Sequence, residues 1–191
     1  MSDKVKRVDR ELVYSGSVLD MYQDTMEMPD GNTKKWDFIA HRKGGAAVVP
    51  VLPDGRILMI HQYRPAINRA TIEIPAGARN DVDEPTVATA KRELREETGY
   101  TSKDLRLLLK LKTAVAYCDE FTDVYLAENI EKIGKQKLDE AEDIRVEAFH
   151  LKDLLVKIYG GTLQDSKTVA GILAYATLVN ERRDGRSALH Y

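Results

Sequence analysis

Residues 77–100 restrict this chain more than any other stretch, because they describe a helix with both ends marked. Asp83 or Glu84 can cap its start, and Pro85 suits the first helical position, where a missing N–H leaves nothing unpaired. Thr98-Gly99 supplies the stop, since glycine adopts the left-handed conformation that ends many helices. Val87, Ala90 and Leu94 recur at helical spacing, so one face must be buried against something else. The acids sit oddly. Glu93, Glu96 and Glu97 fall at i, i+3 and i+4 in the last turns, where they repel one another and face the negative end of the helix dipole. A hard divalent cation would reverse the sign of that arrangement, with the glutamates as oxygen ligands to Mg²⁺. The alternative is a solvated charged face with Arg92 and Arg95 as local partners.

Arg92-Glu93-Leu94-Arg95-Glu96-Glu97-Thr98-Gly99-Tyr100 resembles the core of the Nudix box, G-x5-E-x7-R-E-U-x-E-E-x-G-U, with U apolar or aromatic. Glu84 stands seven intervening residues before Arg92, as that pattern asks. Gly77 is separated from Glu84 by six residues, one more than the pattern. Either the loop carries an insertion or Asp83 takes the acidic position. The resemblance implies Glu93 and Glu97 as metal ligands and Glu96 as the third, either a ligand or a catalytic residue acting through a bound water, with the carbonyl of Ala76 as a backbone ligand. It also implies that Arg92 orients a glutamate. Mg²⁺ is the expected cation, with Mn²⁺ as the alternative. Glu84 is open between a role in the site and simple helix capping.

Bulk properties set outer limits. The length suits one domain, or one domain with an appended subdomain. A formal net charge of −2 argues against nonspecific nucleic-acid binding. No apolar run approaches membrane-spanning length, and the N-terminus is charged rather than signal-like. Cys118 is the only cysteine. It allows no internal disulfide, which points to a reducing, cytoplasmic compartment, and it reads as a small filler residue rather than a catalytic thiol.

Taken in order, residues 1–43 read as a β-rich region and 44–191 as the main domain. Residues 10–28 alternate loosely, Pro29-Asp30-Gly31-Asn32 is a turn, and 34–42 alternate again, with Trp36, Phe38 and Ala40 on one side. Gly44-Gly45 marks the boundary. Strands follow at 46–52, 56–63 and 70–74, then the helix, then strands at 105–117, 121–127 and 145–150. Residues 129–143 are polar without period and read as a loop. Helices close the chain, one over 151–159 and one capped by Asp165 or Ser166, with Val169, Ile172, Leu173 and Ala176 as its apolar stripe. This order fits an α/β/α sandwich around a mixed sheet.

The resemblance extends beyond the box. Gln62-Tyr63-Arg64-Pro65, Glu73-Ile74-Pro75-Ala76-Gly77 and Asp165-Ser166-Lys167-Thr168 are similar to the ADP-ribose pyrophosphatase branch of the Nudix hydrolases. That similarity implies a homodimer in which the N-terminal strands help build the partner's nucleoside pocket. It implies Trp36 as the residue stacked on the base, Arg64 as a phosphate contact, and Glu142, with Glu140 next, as catalytic base from the loop at 138–143. From the residues themselves, Trp36 near His41 and Arg42 suits a stacking platform with cationic neighbours, or else a core or interface tryptophan. Glu73 pairs with an arginine or holds a ribose hydroxyl. One departure concerns substrate: Ala116-Tyr117-Cys118-Asp119-Glu120 stands where the branch carries a Ser-Pro-Gly-like turn. The expected activity is Mg²⁺-dependent hydrolysis of a nucleoside diphosphate sugar, ADP-ribose first, with GDP-mannose or ADP-glucose as alternatives. A noncatalytic nucleotide-sugar sensor is the reading from another class, and the intact glutamate set weighs against it. No nucleic-acid or membrane partner is expected.

Overall fold

The computed structural model describes residues 4–138 and 143–185. The chain divides into two compact units, Met1–Gly44 with Lys112–Phe121, and Gly45–Leu111 with Thr122–Tyr191.

In the first unit, β1 (Lys6–Ser15), β2 (Leu19–Glu27) and β3 (Thr33–His41) form an antiparallel meander. Residues 10–28 are therefore a hairpin rather than one alternating stretch. Its turn closes by the Gly16 N–H donating to the Leu19 carbonyl at 2.9 Å. The break is marked in the sequence by Ser15-Gly16-Ser17, a short turn signal that interrupts the alternation. The second turn falls at the Pro29 to Asn32 segment, as its residues predict. The Arg10 guanidinium grips Asp24 through two bonds of 2.5 and 2.6 Å and lies 4.2 Å from the Phe38 ring centroid. The strand expected over 105–117 ends early, and the chain turns with the Cys118 N–H on the Ala114 carbonyl at 2.9 Å. The Ile39 N–H then donates to the Tyr117 carbonyl at 2.7 Å, so the stretch that departs from the family turn is built onto β3.

The second unit is organised by β4 (Gly45–Pro50), a continuous apolar run of the kind buried on both faces. It pairs in antiparallel fashion with β7 (Ala76–Ala78) and in parallel with β10 (Phe121–Ala127), and β9 (Leu105–Lys112) completes the sheet. A second sheet sets β5 (Ile57–Arg64) between β6 (Arg69–Glu73) and β12 (Ile144–Phe149). Residues 129–143 are not wholly irregular: β11 (Glu131–Lys132) pairs with β8 (Tyr100–Thr101).

Strand periodicity of two puts alternate side chains on opposite faces. Ala47, Val49 and Val51 join Leu154 of α2 (Leu151–Tyr159) and Ile172, Tyr175 and Leu178 of α3 (Ser166–Arg183) in one buried cluster. Ala46 and Val48 join Ala90 and Leu94 of α1 (Thr86–Thr98) in another. Helices thus cover both faces of a mixed sheet, the α/β/α arrangement expected. Complete burial of side chains of this size is worth about 1.5–3 kcal/mol each. Among the described residues, no helix is long and apolar enough to cross a membrane.

Candidate active site

Helix α1 starts one residue later than its sequence suggests. Pro85 is the N-cap, with ψ at 133°, and no side chain caps it. Glu84 instead accepts the Asn80 N–H at 2.5 Å, which holds its carboxyl below the ordinary range. The extra residue in this loop is absorbed by Asp81, whose Oδ1 accepts the N–H groups of both Asp83 and Glu84 at 2.8 Å. Such side-chain-to-backbone bonds fix a turn without help from the core. The slip therefore resolves as an insertion: Glu84, not Asp83, faces Arg92, with Oε1 3.7 Å from Nε.

Arg92 gathers the acids. Its Nη1 donates to Glu93 Oε1 at 2.6 Å and to Glu96 Oε2 at 3.3 Å, and its Nη2 donates to the Ala78 carbonyl at 2.8 Å. Gly77 has a steric reason to be glycine. A Cβ there would lie 2.0 Å from Glu93 Oε1, so the carboxylate occupies the space that any side chain would take. Glu97 accepts the Ala76 N–H on Oε2 at 2.9 Å. Glu93 and Glu97 are 8% and 2% exposed, whereas Glu96 is half-buried.

The end of α1 is closed by Gly99, at φ 75°, and wrapped by residues 133–137. The Lys137 N–H donates to the Glu96 carbonyl at 2.8 Å, and the Gln136 amide to the Glu97 carbonyl at 2.6 Å. The terminal carbonyls that make a helix end hostile to carboxylates are thereby engaged.

All side-chain donors in this group are carboxylate oxygens, with backbone carbonyls nearby, and this hard set fits Mg²⁺ or Mn²⁺. Among the described residues, no three acidic, histidine or cysteine side chains close around one point as they stand. The Arg92 guanidinium supplies the positive charge between Glu93 and Glu96.

A second charged group stands at the β5–β6 hairpin. Arg64 donates from Nε to Glu73 Oε1 at 2.7 Å and from Nη2 to Oε2 at 2.6 Å. Thr71 adds a bond of 2.6 Å to Oε1 and Lys167 one of 2.5 Å to Oε2. Glu73 is 1% exposed and its four acceptor positions are filled, so it has no face left for a ribose hydroxyl. It is the partner of an arginine. Burial opposes its ionisation, but Arg64, Lys167 and Thr71 outweigh that and hold the carboxyl at about 2.

Trp36 lies on β3 of the other unit and is 48% exposed, which rules out burial in that unit's own interior. The cationic neighbours expected from the sequence are committed elsewhere: Arg42 to Asp20 at 2.6 Å, and His41 to Glu120 at 3.5 Å. Glu142 and Glu140 lie outside the described residues. Lys167 is the site residue the sequence reading overlooked. Its signal was a lysine two positions after the helix-capping Asp165, within a stretch already singled out.

Known proteins are similar throughout. The family model described as NUDIX domain matches residues 41–170. An ADP-ribose pyrophosphatase of Bacillus subtilis (strain 168) is 37% identical over 168 residues, covering 87% of this chain and 90% of the relative. A methanol dehydrogenase activator of Bacillus methanolicus is 33% identical with the same coverage of each chain, 87% and 90%. An ADP-ribose pyrophosphatase of Mycobacterium tuberculosis (strain ATCC 25618 / H37Rv) is 30% identical, over 87% of this chain and 81% of the relative. A crystal structure of ADP compounds hydrolase shares the fold, with a TM-score of 0.83 at 18% identity, covering 97% of this chain and 98% of that one.

Proposed function

The chain belongs to the Nudix family and is a pyrophosphatase, and from that premise we propose that it hydrolyses the diphosphate of ADP-ribose, yielding AMP and ribose 5-phosphate. The observation that carries this reading is the pairing of two groups in one unit: the carboxylates gathered by Arg92, and Arg64 held by Glu73. A diphosphate needs both. Water attacks it slowly because its negative charge repels the nucleophile, so cations must be held where phosphate oxygens lie.

Glu93, Glu97 and Glu96 would hold Mg²⁺, with Mn²⁺ as substitute, and the Ala76 carbonyl would be the backbone ligand. When bound, the cation neutralises phosphate charge and acidifies and orients the attacking water. Arg92 holds Glu93 and Glu96 together against their mutual repulsion, so the carboxylates stay gathered before a cation binds. Arg64 contacts a phosphate through the guanidinium edge that Glu73 does not use. Glu142 takes the proton of the water as its oxygen bonds to phosphorus, and the P–O bond to the leaving phosphate breaks. Support for Glu142 comes from its flanks: Lys137 bonds to the end of α1, and Ile144 sits opposite Gln62 on β5.

The β-rich unit contributes dimerisation and base stacking in this reading. Val8, Leu12, Tyr14 and Trp36 are large apolar side chains left about half-exposed on one small sheet, a pattern that marks interaction surfaces. Trp36 stacks on the adenine and the protein works as a homodimer in the cytoplasm.

The deciding experiment incubates the protein with Mg²⁺ and a panel of ADP-ribose, ADP-glucose, GDP-mannose, NADH and nucleoside triphosphates, and identifies the products. ADP-ribose should be cleaved with the highest kcat/KM, giving AMP. Cleavage of triphosphates alone would overturn the assignment, and preference for ADP-glucose or GDP-mannose would reassign the sugar. The altered segment at 116–120 favours including those two.

A further inference from the structure

We propose that Lys167 is a positioning residue for diphosphate binding, acting through the Glu73 carboxylate to fix the Arg64 guanidinium with one edge open to phosphate. This rests on the reading that Arg64 meets the substrate diphosphate.

Three observations carry it. First, Glu73 takes the Nε and Nη2 edge of Arg64, and no described hydrogen bond uses Nη1, while the arginine side chain remains 37% exposed. A guanidinium presents its donors in a rigid fork, so clamping one edge fixes the direction of the other. Second, Lys167 is directed at two protein carboxylates. Its Nζ bonds to Glu73 Oε2 at 2.5 Å and to Asp165 Oδ1 at 2.9 Å, and its side chain is 15% exposed. Third, the lysine is tied to the start of α3. Asp165 caps that helix by accepting the Thr168 N–H at 3.0 Å, and the Thr168 hydroxyl accepts the Ile74 N–H at 3.0 Å.

The chain of contacts therefore runs from a helix terminus through Lys167 and Glu73 to Arg64. The cap itself does not pass through Lys167, so the lysine is dispensable for α3 while necessary for the aim of the arginine. Its charge matters as well. Arg64 and Lys167 balance Glu73 and Asp165, and without the lysine the group would present a net negative charge beside an anionic ligand.

The test uses the full-length protein, with inorganic pyrophosphate titrated calorimetrically in Mg²⁺ and ADP-ribose turnover measured in parallel. Lys167→Met should weaken pyrophosphate roughly tenfold, the size expected for losing one charge-assisted hydrogen bond. It should raise KM for ADP-ribose by a similar factor with kcat little changed, and Lys167→Arg should restore both. In an Arg64→Ala background, Lys167→Met should cost clearly less than it does in the wild type, only its charge effect remaining. Lys167→Gln, which keeps an N–H for Glu73, carries the same comparison if the methionine variant does not fold. Unchanged pyrophosphate affinity in Lys167→Met (or in Lys167→Gln where that variant replaces it), or equal losses with and without Arg64, would overturn the proposal. If Arg64→Ala binds pyrophosphate as the wild type does, the phosphate role of Arg64 falls and the proposal with it. If wild type binds pyrophosphate as expected but leaves ADP-ribose intact, only the substrate assignment falls.

Discussion

Glu93 Oε1 occupies the place where a Cβ on residue 77 would stand, 2.0 Å from that position, so Gly77 is part of the carboxylate site although it contributes no side chain. Gly77→Ala should push the Glu93 carboxylate aside. A displacement of about 1 Å near reacting groups costs on the order of a hundredfold in rate. We expect kcat/KM for ADP-ribose to fall by about that factor, with overpacking lowering stability by about 1–3 kcal/mol. Steady-state kinetics beside a thermal melt checks both. Retention of full activity would mean that Glu93 has another productive position.

Glu97 separates chemistry from folding. Its carboxylate is buried and accepts the Ala76 N–H at 2.9 Å, a bond that the amide oxygen of glutamine can also accept. Glu97→Gln should therefore melt within a few degrees of wild type while turnover falls by orders of magnitude, through loss of a charged oxygen ligand. Rates should be compared across a Mg²⁺ titration. Unchanged turnover at all Mg²⁺ concentrations would remove Glu97 from the metal site.

How much was legible beforehand follows from the range over which each signal acts. The bounds of α1, α2 and α3 and of the β4 and β5 strands came from local periodicity and punctuation, which the structure keeps to within a few residues, although β4 and β5 stand in different sheets. The roles of Glu73 and Lys167 did not. Their contact spans 94 positions, and a lysine after a helix cap reads the same whether it points to water or to a carboxylate. Glu84 shows the middle case: spacing left it ambiguous with Asp83, and only the Asp81 turn decided it. The surroundings of Trp36 were not legible, because nearness in sequence along a strand is not nearness in space. His41 lies five positions further along β3, roughly 16 Å away at strand rise, and its partner is Glu120.

The exposed apolar residues of β1 give the oligomer prediction a specific handle. Leu12 is 52% exposed, so a charge there costs the isolated chain little. Leu12→Glu should shift the protein from dimer to monomer mass in light scattering after gel filtration, while circular dichroism stays unchanged. If the β-rich unit also serves the partner's nucleoside pocket, KM for ADP-ribose should rise in the same variant. A wild-type protein that elutes as a monomer at micromolar concentration would sink the dimer assignment.

Glu73 ties the stability of the fold to pH. Its folded value, about 2, lies below the unbound value of 4.5, so the unfolded state takes up its proton first as pH falls. The stabilisation is therefore fully present above about pH 5 and is lost progressively between that point and pH 2. The gap corresponds to about 3 kcal/mol for this almost completely buried group. Glu73→Gln should flatten that part of the stability–pH curve. At pH 7 it should also cost about 3–5 kcal/mol, because Arg64 and Lys167 are left facing a neutral amide. For a chain of this length, about 2–4 °C of melting temperature accompanies each kcal/mol, so the expected drop is about 10 °C. Denaturant melts of wild type and variant from pH 3 to pH 7 make the comparison. Parallel stability curves over that window would show that the Glu73 carboxylate is not held by its cations in the folded protein.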